Sequence, residues 1–302
     1  FKLMRGTHSA YFVSTLSVFA IAAFRLLPSI NRIANYMSVI MFNKPAIDAV
    51  YHDLKQIDEL NLKKYDIITT QNKLSIKDKI SVKNLYFKYP DADTYVLDNV
   101  SFDILKNQST ALIGPSGAGK TTLADIILGA LQPTAGGVFV DDKNIMEYMQ
   151  GWHENLGYIP QTIYLMDDSI RNNVAFGIDE EYIDNTKVER ALRQAQLWEF
   201  VLGLEKGLDT EIGEGGVRLS GGQRQRIGIA RALYNDPEVL ILDEATSALD
   251  SDTENAVMEA IDSLSGNKTL IIIAHRLTTI RNCNVTYEVK GAGVRKVVLR
   301  NE

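Results

Sequence analysis

The stretch Gly114-Pro-Ser-Gly-Ala-Gly-Lys120-Thr121 sets glycines, a lysine and a hydroxyl at the spacing of the eight-position phosphate loop. Each residue type has a task. Gly114, Gly117 and Gly119 let backbone N–H groups approach and wrap anionic oxygens, and Ser116 and Thr122 lie in the same cradle. Lys120 neutralises β/γ oxygens, the Thr121 hydroxyl suits Mg²⁺, and the helix that follows turns its positive end toward the phosphates. A second phosphate-friendly stretch, LSGGQRQRIGIARAL from Leu219 to Leu233, sets Ser220, Gly221, Gly222 and Gln223 at the start of another helix. Two cradles in one chain leave open which phosphate the second one serves.

Such residues act only if the chain holds them together. Thr110 to Ile113 is a short apolar strand running into the loop, and Leu123, Ile126, Ile127, Ala130 and Leu131 mark the helix behind it. Two further apolar runs end in polar residues: Val239–Leu242 stops at Asp243-Glu244, and Thr269–Ala274 stops at His275. Near-continuous apolar runs are strands covered on both faces, as in a parallel sheet, and such sheets collect their chemistry at the strands' carboxyl ends. The three ends are therefore expected at one edge. There Asp243 would hold a magnesium shell, Glu244 would polarise an attacking water, and His275 would sense the γ-phosphate. Short antiparallel strands are expected in ISVKNLYFKY and VLDNVSFDI, after a polar linker from Asn61 to Lys79.

Composition bounds the rest. A chain of 302 residues with ordinary apolar and charged fractions buries a full core plus an accessory segment. A net charge of −6 without a basic block gives no support to nucleic-acid binding. The single cysteine, Cys283, excludes internal disulfides, and His8, His52, His153 and His275 lack metal-ligand spacing. The chain opens on Phe1 without a leader and reads as the tail end of a longer protein.

Ala10 to Leu27 is apolar apart from small hydroxyl residues, a tyrosine and Arg25, and is nearly long enough to cross a bilayer core. Its nine Leu, Ile, Val and Phe residues contribute about 3 to 5 kcal/mol to insertion, of which Arg25 removes about 2.5 to 3.5. That balance suits a helix within a bundle, where Pro28 can be tolerated as a kink. Beyond it, Ile47, Val50, Leu54, Ile57 and Leu60 recur at helical steps, so an exposed helix with one packed face is expected to continue.

Taken together, the segments from about Ile80 to Ile280 resemble the ATP-binding cassette ATPases, with every diagnostic segment in order. The resemblance implies an α/β phosphate-loop fold with a mixed sheet core, an antiparallel β subdomain and a helical subdomain, preceded by a membrane-spanning helix. It implies ATP and Mg²⁺ as ligands. Tyr89 in YFKYP is similar to the aromatic that stacks on adenine, and Gln161 in GYIPQ to the glutamine that reaches the metal and links site to membrane domain. Leu219 to Gln223 is similar to the family signature, Glu244 to the catalytic carboxylate, Ser247 to Asp250 to the loop crossing between cassettes, and His275 to the switch histidine. Cassettes of this family pair head to tail, which assigns the second cradle to another copy of the chain: Ser220 and Gly222 would face the partner's γ-phosphate.

The same resemblance divides the chain into the end of a transmembrane domain (1–60), a linker (61–79) and a cassette (80–302). It implies a half-transporter lacking about five upstream helices, an exporter in the inner membrane with its cassette on the cytoplasmic side, moving a lipid or lipid-linked cargo. AFRLLPSINRI is similar to bacterial flippases for lipid-linked oligosaccharides; other cargo, or a soluble cassette ATPase, are the alternatives. TEIGEGG is similar to the exporter segment that touches membrane-domain loops, although Gly215 stands where an arginine is usual. VTYEVKGAGVRKVV offers a hairpin with Gly291 and Gly293 at its turn, and the family's closing helix is expected to be missing. A chromosome-maintenance cassette would carry a long coiled-coil insertion, and the stretch from Gln161 to Leu219 has no heptads.

Overall fold

The computed structural model describes residues 8–59, 73–90, 92–243, 251–274 and 277–298. They fall into two compact units, Phe1–Thr70 and Gln71–Glu302. The first holds one helix, α1 (His8–Glu59), of 52 residues, about 78 Å long at the helical rise per residue. That exceeds the roughly 30 Å of a bilayer's hydrocarbon core. Its large apolar side chains are exposed, Phe24 at 82% and Phe42 at 84% among them. Its small polar groups turn inward on the helix: Thr15 Oγ1 donates to Tyr11 O at 2.8 Å, Ser17 Oγ to Val13 O at 2.8 Å and Ser38 Oγ to Ala34 O at 2.9 Å. Satisfying hydroxyls within the helix is what an apolar solvent demands. The helix continues through Pro28 and Pro45, and Ile47, Val50, Leu54 and Ile57 are exposed along it.

The second unit runs β1 (Lys79–Phe87), β2 (Leu97–Leu105), β3 (Ser109–Ile113), α2 (Lys120–Leu128), β4 (Ala135–Val140), β5 (Lys143–Asn144) and α3 (Met149–His153). There follow β6 (Leu156–Ile159), α4 (Ile170–Val174), α5 (Asn185–Gln194), α6 (Trp198–Leu202) and α7 (Gly221–Leu233). The chain closes with β7 (Val239–Asp243), α8 (Ser251–Asp262), β8 (Thr269–Ile273), α9 (Leu277–Ile280), β9 (Val285–Lys290) and β10 (Gly293–Val297). One sheet is antiparallel, ordered β2-β1-β4-β5. The other, ordered β10-β9-β3-β8-β7-β6, is parallel except for β10.

The parallel sheet separates two cores, and the alternation of its side chains shows why its strands read as unbroken apolar runs. Ala111, Leu240, Leu242, Leu270 and Ile272 join the core shared with α4, α5 and α7. Leu112, Val239, Ile241, Ile271 and Ile273 join the core shared with α2 and the antiparallel sheet. A strand buried on both faces has no use for polar positions.

Two boundaries are set by packing. The polar stretch before Lys79 was expected as a linker, yet Leu74 and Ile76 are buried in the second core. Its backbone is also tied down: Leu74 N donates to Gly151 O, Ile76 N to Glu238 Oε2, and Lys77 N, Asp78 N and Lys79 N all donate to the Asp141 carboxylate. At the other end the hairpin turn is Gly291-Ala292, with φ of 57° and 62°, and Gly293 already begins β10.

Candidate functional site

Register settles which residues share an edge. Leu112 of β3 and Asp243 of β7 both pair with Ile273 of β8, so the three strands end side by side. On the far side Ile159 of β6 pairs with Leu242, which brings exposed Gln161, two residues on, off the same edge. The phosphate loop and Asp243 therefore leave one rim of the sheet, as the apolar runs led one to expect, and Gln161 leaves the same rim. Glu244, Asp250 with the SALD loop, and His275 lie outside the described residues.

The loop is built close to its neighbours. Gly114 has φ of 148°, and a Cβ there would lie 2.2 Å from Val289 O of β9, so only glycine lets the loop leave β3 against that strand. At Gly117, φ is 75° and a Cβ would meet nothing within 4 Å: that face of the loop is open. Ser116 and Gly117 are exposed at the tip, whereas Gly119, the N-cap of α2, is buried. Lys120 opens α2 and is only 5% exposed, its Nζ donating to Gly114 O and Pro115 O at 3.0 Å each. The ammonium is thus held inside the loop it must neutralise. Thr121 is exposed next to it; Thr122 is buried, its Oγ1 3.2 Å from the Tyr89 hydroxyl. Tyr89 itself packs edge-on to Phe87 at 5.0 Å between centroids, which fixes the half-exposed ring beside the loop.

Asp243 is buried at the end of β7. Burial, followed by the charges of Asp243 and Asp125, pushes the Tyr158 hydroxyl of β6 above its ordinary value, and burial alone raises the Asp125 carboxyl on α2. Neither Asp125 nor Tyr158 stood out in the sequence, because each sits in an element whose neighbours are read as packing. Thr121, Gln161 and Asp243 offer a hydroxyl, an amide oxygen and one carboxylate. Among the described residues no three His, Cys, Asp or Glu gather to hold a metal by themselves. Such a sparse oxygen set fits Mg²⁺, which keeps waters and shares substrate phosphates rather than filling a protein cage.

The second cradle is shaped by a capping box. Ser220 is the N-cap of α7, its Oγ accepting from Gln223 N at 3.2 Å while Gln223 Oε1 accepts from Ser220 N at 2.8 Å. Ser220 is exposed and, among the described residues, its hydroxyl donates to nothing. Gly221 is half-buried and Gly222 buried, its carbonyl accepting from Arg226 Nε at 3.4 Å. The sequence also gave no prominence to Asn173 and Arg231, which join α7 to the segment after Gln161; a lone arginine in the apolar run IGIARAL was the available sign.

The family described as ABC transporter matches residues 97–247. An ATP-dependent lipid A-core flippase of Vibrio parahaemolyticus is 37% identical over 271 residues, 89% of this chain and 45% of that protein. One from Pseudomonas aeruginosa is 36% identical over 283 residues, 93% of this chain and 45% of that protein. A solved bacterial Atm1-family ABC exporter with ATP bound superposes with a TM-score of 0.66 at 31% identity, covering 82% of this chain and 45% of that one. The chain spans about half the length of these relatives. With its phosphate loop, capped second cradle and shared strand edge in the family's order, it is a nucleotide-binding member of the ABC transporter family.

Proposed function

We propose that this chain is the motor end of an exporter that couples ATP hydrolysis to flipping a lipid-anchored saccharide across the inner membrane. The observation that carries it is the pair of complementary half-sites: an open phosphate loop at the sheet edge, and an exposed, self-capped Ser220 whose hydroxyl donates to nothing among the described residues. A second copy, placed head to tail, supplies the missing half of each site.

In that arrangement Tyr89 stacks on the adenine, and the loop's N–H groups with Lys120 hold the β- and γ-phosphates. Ser220 and Gly222 of the second copy close over the γ-phosphate at a helix start. Glu244 accepts a proton from the water whose oxygen attacks the γ-phosphorus, as the bond to the bridging oxygen breaks and leaves with ADP. His275 steadies the γ-phosphate, and Asp250 lies in the loop crossing between copies. Mg²⁺, when held by Thr121, Gln161 and Asp243, supplies charge neutralisation on the transferred group. The apolar α1 serves as a membrane helix that other helices cover; Tyr11–Lys55 has a mean hydropathy of 1.7 in its most apolar window. The names of the relatives favour a lipid A-core type of cargo over the lipid-linked oligosaccharide suggested by AFRLLPSINRI.

Full-length protein in sealed vesicles, given ATP and either labelled lipid A-core or a labelled lipid-linked oligosaccharide, tests the proposal. ATP-dependent movement of the lipid A-core probe is expected. Movement of the oligosaccharide alone would reassign the cargo, and hydrolysis without movement of either lipid would remove the lipid reading.

A further inference from the structure

The chain segment just past Gln161 is clasped by α7. At Gly228 the helix comes so near that an added Cβ would lie 2.5 Å from Ile163 Cδ1. One turn on, Arg231 reaches the same segment: its Nη1 donates to Tyr164 O at 2.8 Å, its Nε to Asn173 O at 2.8 Å and its Nη2 to Asn173 Oδ1 at 3.2 Å. The guanidinium lies 4.6 Å from the Phe176 ring centroid. Asn173 is fully buried and committed on the other side, accepting from Met166 N at 2.9 Å and donating to Met166 O at 3.1 Å and Ser169 O at 3.0 Å. One fork of donors therefore fastens the last turn of α7 to residues 164–173, while the first turn of the same helix carries Ser220 eleven residues earlier. Two backbone carbonyls, an amide oxygen and a ring face thus hold the planar guanidinium together.

We propose that Arg231 is a positioning residue that keys the signature helix to the segment following Gln161, so that Ser220 meets the partner's nucleotide only when that segment is in place. The proposal rests on the paired-cassette reading above. It adds that the two half-sites are linked within each chain through Arg231, Asn173 and the Gly228–Ile163 contact.

The test uses the full-length transporter in lipid, reading steady-state ATP hydrolysis and binding of a fluorescent ATP analogue to the phosphate loop. Arg231→Lys keeps charge and stem but loses the fork. Its kcat is expected to fall on the order of 10-fold, and that of Arg231→Met on the order of 100-fold, as for a reacting group held out of place. Analogue binding should stay within about twofold, since neither residue touches the loop. Gly228→Ala is expected to lower kcat by wedging Ile163, and Ile163→Ala in that background to restore it; this pair decides the matter if Arg231→Met fails to fold. Unchanged kcat in Arg231→Lys and in Gly228→Ala overturns the latch, as does a loss of kcat matched by an equal loss of analogue binding. A parent protein that hydrolyses no ATP overturns the motor reading instead.

Discussion

Gly114 and Gly117 lie three residues apart in one loop, and the structure assigns their substitutions opposite consequences. In Gly114→Ala the new methyl falls 2.2 Å from Val289 O, more than 1 Å short of ordinary contact, and the obstacle is backbone. Val289 is fully buried in β9 and paired with Val294 of β10, so the strand cannot yield freely. Overpacking of about 1 to 3 kcal/mol adds to backbone strain of about 1 to 3 kcal/mol at φ of 148°, giving about 4 kcal/mol. For a unit of this size that lowers Tm by about 8 to 16 °C. Gly117→Ala meets no atom within 4 Å and carries only the strain of φ at 75°, about 1 to 2 kcal/mol. Its methyl instead projects from the open face of the loop, where phosphate oxygens would approach. Thermal unfolding without nucleotide, followed by titration with a fluorescent ATP analogue, separates the two: Gly114→Ala should lose stability, and Gly117→Ala should keep most of it while binding at least 10-fold more weakly. A Gly114→Ala protein as stable as the parent, or a Gly117→Ala protein less stable than Gly114→Ala, would refute the loop geometry described above.

Three further outcomes are expected. Glu244→Gln should slow hydrolysis by roughly 10²- to 10⁴-fold while ATP still promotes pairing, and turnover near that of the parent would show that the general base lies elsewhere. Trp152→Phe removes a fully buried indole whose Nε1 donates to Ile127 O at 2.8 Å beneath α2; the orphaned carbonyl and the void together should cost about 2 to 4 kcal/mol in urea denaturation, and a change below about 0.5 kcal/mol would contradict that packing. The hydrogen bond from Lys268, then the charges of Lys268, Arg190 and Lys73, hold the Asp236 carboxyl below its ordinary 3.8. A lowered folded-state pKa stabilises above the unfolded value and is lost as pH falls through the folded one. Asp236→Asn should therefore be less stable by about 1 kcal/mol at pH 7, half-exposure limiting the effect, with the gap closing below about pH 4; a gap that widens in acid reverses the assignment.

The chemistry was legible in the sequence because it depends on residue type at short spacing. GPSGAGKT needs no partner from elsewhere to be a phosphate loop, and runs such as VLILD and TLIIIA admit few roles besides doubly covered strands. Their common edge followed from the parallel-sheet rule, and the register through Ile273 bears it out. Ser220 was read at a helix start, and there it caps α7. The misjudged details all lie where a residue's environment comes from far along the chain. Leu74 and Ile76 sit in a polar stretch, and only contacts with Gly151, Asn155 and Glu238 turn that stretch into part of the cassette. Local patterns of charge, glycine and hydroxyl thus determined the phosphate chemistry, since electrostatics and backbone freedom are properties of a few adjacent residues. The tertiary structure alone decided which groups meet: Tyr89 with Thr122, Gly114 with Val289, Arg231 with Asn173 and Tyr164. Those pairs are joined by folding across as many as 175 residues, and burial, not sequence spacing, selects them.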